Sequence, residues 1–157
     1  NISLNSLQHC IQARQIGLSD REGTAAISMR SENTGAAHIT GTGGDIVLST
    51  LDHYCEKEKI ENLAFIKIDV EGFEPFVLRG GAVTIQRYLP IILLELSPPT
   101  LKRLGYVPQD VVNILSGFGY ELFVPRRKRL EKLVELPAGD DYVNVFCIHP
   151  GSGRKQQ

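Results

Sequence analysis

The chain has 157 residues, 42% of them hydrophobic and 22% charged, with a net charge of −1, which is the size and composition of one globular domain able to bury a core. That balance gives no electrostatic case for nucleic acid, and the longest apolar run falls far short of the ~20 residues of a spanning helix, with no signal peptide at the start. Cys10, Cys55 and Cys147 are odd in number, widely spaced and outside any zinc pattern, so they read as reduced, mostly buried thiols of a cytoplasmic protein.

In chain order, residues 1–7 read as the tail of a helix that opens without a start signal. Residues 11–18, IQARQIGL, alternate as a strand that Ser19 and Asp20 end, and residues 23–29 form a second short strand. Residues 31–44 read as a polar loop, mobile or ligand-ordered, containing Asn33, Gly35 and the run Gly41-Thr42-Gly43-Gly44. That run lacks the spacing of a phosphate loop. Residues 46–51 form a third strand, and Thr50 or Asp52 caps a helix over 52–59 with Leu51, Tyr54 and Cys55 inward.

The segment 63–96, LAFIKIDVEGFEPFVLRGGAVTIQRYLPIILLEL, carries most information. Its apolar runs 63–68 and 91–94 read as parallel strands covered on both faces. Between them Pro75 suits a first helical turn, Glu74 favours a helix start, and Phe76, Val77, Val83 and Ile85 form an apolar stripe broken at Gly80-Gly81. A right-handed crossover brings Asp69 and Glu95 to the same sheet edge, with Glu71 and Glu74 in the loop above. Carboxylates converging there can polarise a hydroxyl, hold a metal or grip a polar cofactor.

After Pro98-Pro99 come a short turn at 101–104 and a helix opened by Pro108, over 111–116, with Val112 and Leu115 inward. Residues 120–124 and 142–148 are the last strands, an antiparallel pair, and the basic run at 126–129 reads as a solvated hairpin tip, with a phosphate contact as the lesser alternative. The domain spans 1–150, and 151–157 form a disordered tail. The four histidines are scattered, and no serine sits in a nucleophile elbow.

The stretch IKIDVEGFEPFVLRGG, followed a helix later by PIILLEL, resembles the FkbM-type S-adenosylmethionine-dependent methyltransferases. The likeness extends to NISLNSLQHCIQARQIGLSDREGTAAI, SENTGAAHI and VLSTLDHYC, and the closing hairpin resembles the reversed last strand of the class I methyltransferase sheet. It implies a Rossmann-like α/β fold, mostly parallel, and methyl transfer from S-adenosylmethionine to a hydroxyl of a small molecule, natural product or sugar. It also implies Ser19 and Asp20 near the adenine, Asp69 near the methionine part and the methyl, Glu71 and Glu95 orienting or deprotonating the acceptor, and the segment around Asn33 and Gly35 closing over the site.

The glycine-rich turn and first acidic residue of that family precede the point where this chain begins, so the expectation is a partial sheet lacking its first two strands, with residues 11–18 unpartnered on the side facing 63–68. Two other readings share the sheet: a non-catalytic binding domain, and a divalent-metal site at Asp69, Glu71 and Glu95. A hydride-transferring dinucleotide enzyme would need GxGxxG, which is not here.

Overall fold

A computed structural model describes residues 1–30 and 33–153, with side chains described outside 27–42. The elements are β1 (Gly17–Leu18), β2 (Gly23–Arg30), β3 (Asn33–Thr42), β4 (Ile46–Ser49), α1 (Leu51–Lys57), β5 (Phe65–Ile68), α2 (Glu74–Gly80), α3 (Ala82–Tyr88), β6 (Ile91–Leu96), α4 (Pro98–Lys102), α5 (Pro108–Gly117), β7 (Glu121–Arg126), β8 (Arg129–Lys132) and β9 (Val143–Ile148).

They form two sheets, ordered β1-β4-β2-β3 and β5-β6-β9-β7-β8. Among the described residues only β1 with β4 and β5 with β6 are parallel; β2 with β3, β2 with β4, β6 with β9, β7 with β8 and β7 with β9 are antiparallel. The expected mostly parallel Rossmann-like sheet is therefore corrected to an α/β fold with two mixed sheets. The reason lies in the connections: only two positions separate β2 from β3 and β7 from β8, too few for the crossover that parallel neighbours need. Among the described residues β1 pairs only with β4 and β5 only with β6, so the strand ending at Leu18 and the strand ending at Ile68 belong to different sheets.

The crossover from β5 to β6 follows the expected strand, helix, strand plan. Pro75 stands in the first turn of α2, and the helix breaks at Gly81, where α3 starts. The apolar stripe is corrected at Val83, which is 70% exposed while Val77 and Ile85 are buried. The break at Gly81 starts a new helix and turns Val83 off the packed face. Asp52 of α1 fastens α3 by accepting from the backbone N–H groups of Val83 and Thr84 at 3.1 and 2.7 Å.

One core joins the layers: Ile68, Leu94, Leu96, Val145 and Cys147 from the larger sheet meet Leu51 and Cys55 of α1, Val77 and Leu78 of α2, Ile85 of α3, and Val111 and Leu115 of α5. Tyr120 is buried there and its hydroxyl donates to the Pro90 carbonyl at 2.8 Å. Thr50 caps α1 as expected, accepting from the His53 N–H at 3.0 Å. In α5 the inward pair is Val111 and Leu115, with Val112 only half-buried. Cys55 and Cys147 are buried free thiols, Cys10 an exposed one, and burial pushes the Cys147 thiol up to about 12.

The expectation that the central strands are covered on both faces is also corrected. In β5 and β6 alternate residues Ile68, Ile92, Leu94 and Leu96 are buried, whereas Phe65 is 48% exposed and Ile91, Leu93 and Glu95 are half-buried. One face packs on the helices and the other lies open, the condition of a mixed sheet.

Three segments differ from their sequence reading. Residues 11–16 lie outside any strand, with only Gly17–Leu18 paired. Residues 33–42, expected as loop, form β3, paired to β2 with register shifts between Ala26 and Ile27 and between Ser28 and Arg30. Its glycines and threonines hid the alternation, and the ladder to β2 holds a strand whose apolar content alone would not. The stretch 129–132 is a strand, β8, rather than a connection. Of the tail, residues 151–153 form a turn, and 154–157 lie outside the described residues, as do 31–32. No described helix is long and apolar enough to cross a membrane.

Gly80 is where the two sheets' connections meet. A Cβ there would overlap the Ser19 carbonyl oxygen, so the end of α2 can lie against the end of β1 only if this position has no side chain. Gly80→Ala is expected to destabilise the chain by about 1–3 kcal/mol through overpacking against backbone, read as a lowered urea midpoint. An unchanged midpoint would mean that this contact does not form.

Candidate functional site

Parallel pairing sets the geometry of the candidate site. Ile68 is in register with Leu94, so continuing the register sets Asp69 beside Glu95 at one strand spacing, about 4.8 Å. Both lie on the open face by the two-residue alternation, following Lys67 and Leu93. On the other side of β6, Glu95 is in register with Asn144 of β9.

The turn between β5 and α2 supplies the rest. Glu71 has φ 53° and Gly72 φ 99°, two successive left-handed residues that reverse the chain over the strand end. A Cβ at Gly72 would overlap the Thr100 carbonyl of α4, so the turn also needs glycine for close approach. Glu71 lies 3.7 Å from Arg103, and Lys67 holds Asp69 at 2.6 Å. Phe73 stacks on Phe76 at 4.3 Å; Phe76 meets the Tyr106 ring edge-on at 5.4 Å, and Arg79 donates to the Tyr106 hydroxyl at 2.6 Å. This aromatic run clamps α2 to the segment after α4.

Glu74 is more than a residue suited to a helix start. It is 2% exposed, Oε1 accepts from the Gly72 N–H at 3.2 Å, and Oε2 is buried without a hydrogen-bond partner. Burial, first of all, pushes this carboxyl above the usual range, and Glu95 adds to the push, against a downward pull from the N–H groups of residues 74, 72 and 70. The sequence signal that could have flagged it is its place directly before Pro75, inside a turn that has to be pinned. Glu95 is raised as well, by burial, then by Asp69 and Glu71, with Lys67 pulling it back. Asp69, Glu71, Glu74 and Glu95 thus form one interacting set, as expected from the crossover.

Ser19 and Asp20 stand apart from this set. Ser19 is 3% exposed, its N–H donates to the Ser49 carbonyl at 2.9 Å and its hydroxyl to Asp20 at 3.3 Å. Both lie against Gly80, six residues after Glu74, about 9 Å along the helix axis at 1.5 Å per residue. The side chains of Asn33 and Gly35's neighbours, expected near the site, lie outside the described ones. Among the described residues no group of three or more histidine, cysteine, aspartate or glutamate side chains is arranged to hold a metal ion.

The chain's sequence matches the family profile described as Methyltransferase FkbM domain over residues 3–122. The chain belongs to that family. The matched region contains the whole carboxylate set and ends within β7. No curated protein and no solved structure matches the chain.

Because Glu74 is held nearer its neutral form in the fold than in the unfolded chain, folding takes up protons above the ordinary carboxylate value of 4.5. Its contribution to stability is therefore full below that value and is lost as pH rises through the raised one. Glu74→Gln keeps an acceptor for Gly72 and removes the titration, so its urea midpoint should vary less between about pH 4.5 and 7 than that of the parent chain. Glu74→Ala, which leaves the Gly72 N–H unpaired, should cost about 1–3 kcal/mol. Equal pH dependence in the Gln variant and the parent would remove Glu74 from this account.

Proposed function

We propose that this member of the FkbM methyltransferase family transfers a methyl group from S-adenosylmethionine to a hydroxyl of a small acceptor, such as a natural product or sugar. The observation that carries the reading is the placement of Asp69 and Glu95 side by side at the open rim, one paired to Lys67 and the other raised in basicity. The residues fit the positively charged groups of that cofactor, its α-ammonium and its sulfonium: Asp69 and Glu95 are acceptor-only carboxylates when ionised, and Glu74 Oε2 is buried without a partner. When bound, S-adenosylmethionine supplies a methyl group on a sulfonium leaving group.

The protein's share of such a displacement is orientation and proton removal. Glu95 accepts the acceptor's hydroxyl proton, and a carboxylate raised toward neutrality is the stronger base for it. Glu71, tied to Arg103, and Asn144, opposite Glu95, border the place where that hydroxyl would lie. Asp69 would accept hydrogen bonds from the cofactor's α-ammonium group. Asp20 and Ser19, at the far end of α2, are assigned to the adenine side by the family resemblance alone.

Calorimetric titration with S-adenosylhomocysteine tests the reading, with micromolar binding expected, about −8 kcal/mol. Asp69→Asn should weaken it about tenfold, whereas Glu95→Gln should leave it within a few-fold and lower methyl transfer by about 10²–10⁴. The parent's rate should rise with pH through a value above the usual carboxylate range and then level off, since Glu95 has to be ionised to act. Failure to bind the cofactor product at millimolar concentration would sink the reading for this chain.

A further inference from the structure

The β7–β8 hairpin carries four consecutive positively charged residues and no part in the proposed chemistry. Arg126, Arg127, Lys128 and Arg129 are consecutive and exposed, and together with Glu131 they line a shallow concavity at the tip. Arg126 and Arg129 are directly opposite in the ladder. Like charges so paired are destabilising. The turn adds Arg127 with φ 54°, in the left-handed region that hairpin turns usually give to glycine or asparagine. Among the described residues only Arg129 of these four has a carboxylate partner, Glu131 at 2.7 Å. Four cations crowded on a tight turn, at a cost to the hairpin, call for an anion between them.

Strand direction fixes where this tip stands. β6 is antiparallel to β9 and β9 to β7, so β7 runs the same way as β5 and β6 and ends at the same sheet edge. Phe123 is in register with Phe146, so continuing the ladder sets Pro125 level with Asn144, which is opposite Glu95; on its other side Pro125 is paired with Leu130. Asp69, Glu95, Asn144, Pro125 and Leu130 therefore form one row on the open face, and the last row beyond it is Leu96, Val143, Arg126 and Arg129, which alternates to the packed face, so the tip stands at the end of the sheet rather than over its open face. From Glu95 to Pro125 is two strand spacings, about 10 Å, and from Asp69 three, about 15 Å. A second groove, lined by Val124, Arg126, Glu131, Leu136 and Val143 among others, continues from the tip to Val143, the partner of Leu96.

We infer that residues 126–129, at the end of the sheet, hold the phosphate or diphosphate group of an acceptor that reaches over the strand ends to Glu95, about 10 Å from Arg126 and about 15 Å from Arg129 across the strands. The acceptor is then a phosphorylated hydroxy compound, for which two or three arginines supply forked, charge-assisted hydrogen bonds. The family match ends at residue 122, so the hairpin follows the shared segment. This inference rests on the methyl-transfer reading for the hydroxyl, but phosphate binding at the tip is measurable without it.

The test is a calorimetric and amide-NMR titration of the full chain with inorganic pyrophosphate at low salt, beside the variant R126Q/R127Q/K128Q. Submillimolar binding is expected, with shifts at 126–131, weakening with salt and at least tenfold weaker in the triple variant. The variant's surface glutamines keep the hairpin ladder, and an unchanged urea midpoint reports that it is folded. Binding unchanged in the variant, or no binding by the parent, overturns the inference. So does binding to anionic phospholipid vesicles without binding to pyrophosphate, which would make the tip a membrane contact. A chain that binds pyrophosphate at the hairpin yet does not bind S-adenosylhomocysteine refutes the methyl-transfer reading and keeps the anion site.

Discussion

Two parallel strands cannot be joined by a turn, and that constraint organises this protein. Joining β5 to β6 requires the chain to leave one end of the sheet, cross its face as α2 and α3, and re-enter at the other end. Everything near the candidate site follows. The chain has to reverse sharply over the end of β5, which sets Glu71 and Gly72 in left-handed conformations. The returning helix has to pass close to its neighbours, which requires glycine at 72 and 80. The two strands then end side by side, and the carboxylates that follow them are neighbours although 26 positions apart in the chain.

The placement of acidic residues has an energetic side. Three carboxylates at one rim repel, and Lys67 and Arg103 offset part of that repulsion. Burial first, and then the remaining repulsion from Asp69 and Glu71, raises Glu95. Glu74 adds a fourth, taken out of water under the turn, where its Oε1 secures Gly72 and its Oε2 stays without a donor. A buried acceptor in that state costs stability unless it is protonated or matched.

How far the fold was legible depends on how local its causes are. The runs IKI and IILLEL could hardly be anything but strands, and proline before Phe76 with two glycines after Arg79 marks both ends of α2. The same pattern locates Asp69 and Glu95. The division into two mixed sheets was not legible, because it depends on which distant strands pair. β3 was hidden for a related reason: its residues are poor strand formers on their own, and pairing with β2 decides their conformation. The open face of the larger sheet escaped notice because an apolar run looks the same whether one face or both are covered. Glu74 was visible as a residue but not as a buried one, since burial of a single carboxyl is set by the packing of α4 and the turn above it.

The three thiols give the chain a built-in chemical asymmetry. Cys55 and Cys147 sit in the core, where burial holds both in the protonated, unreactive form at neutral pH. Cys10 lies exposed on the irregular segment that precedes β1. A maleimide dye or spin label added to the folded chain therefore attaches at one position, and that position reports on the side of the molecule where the smaller sheet begins. The two buried thiols become modifiable only when the core opens, so the same reagent counts unfolding events molecule by molecule.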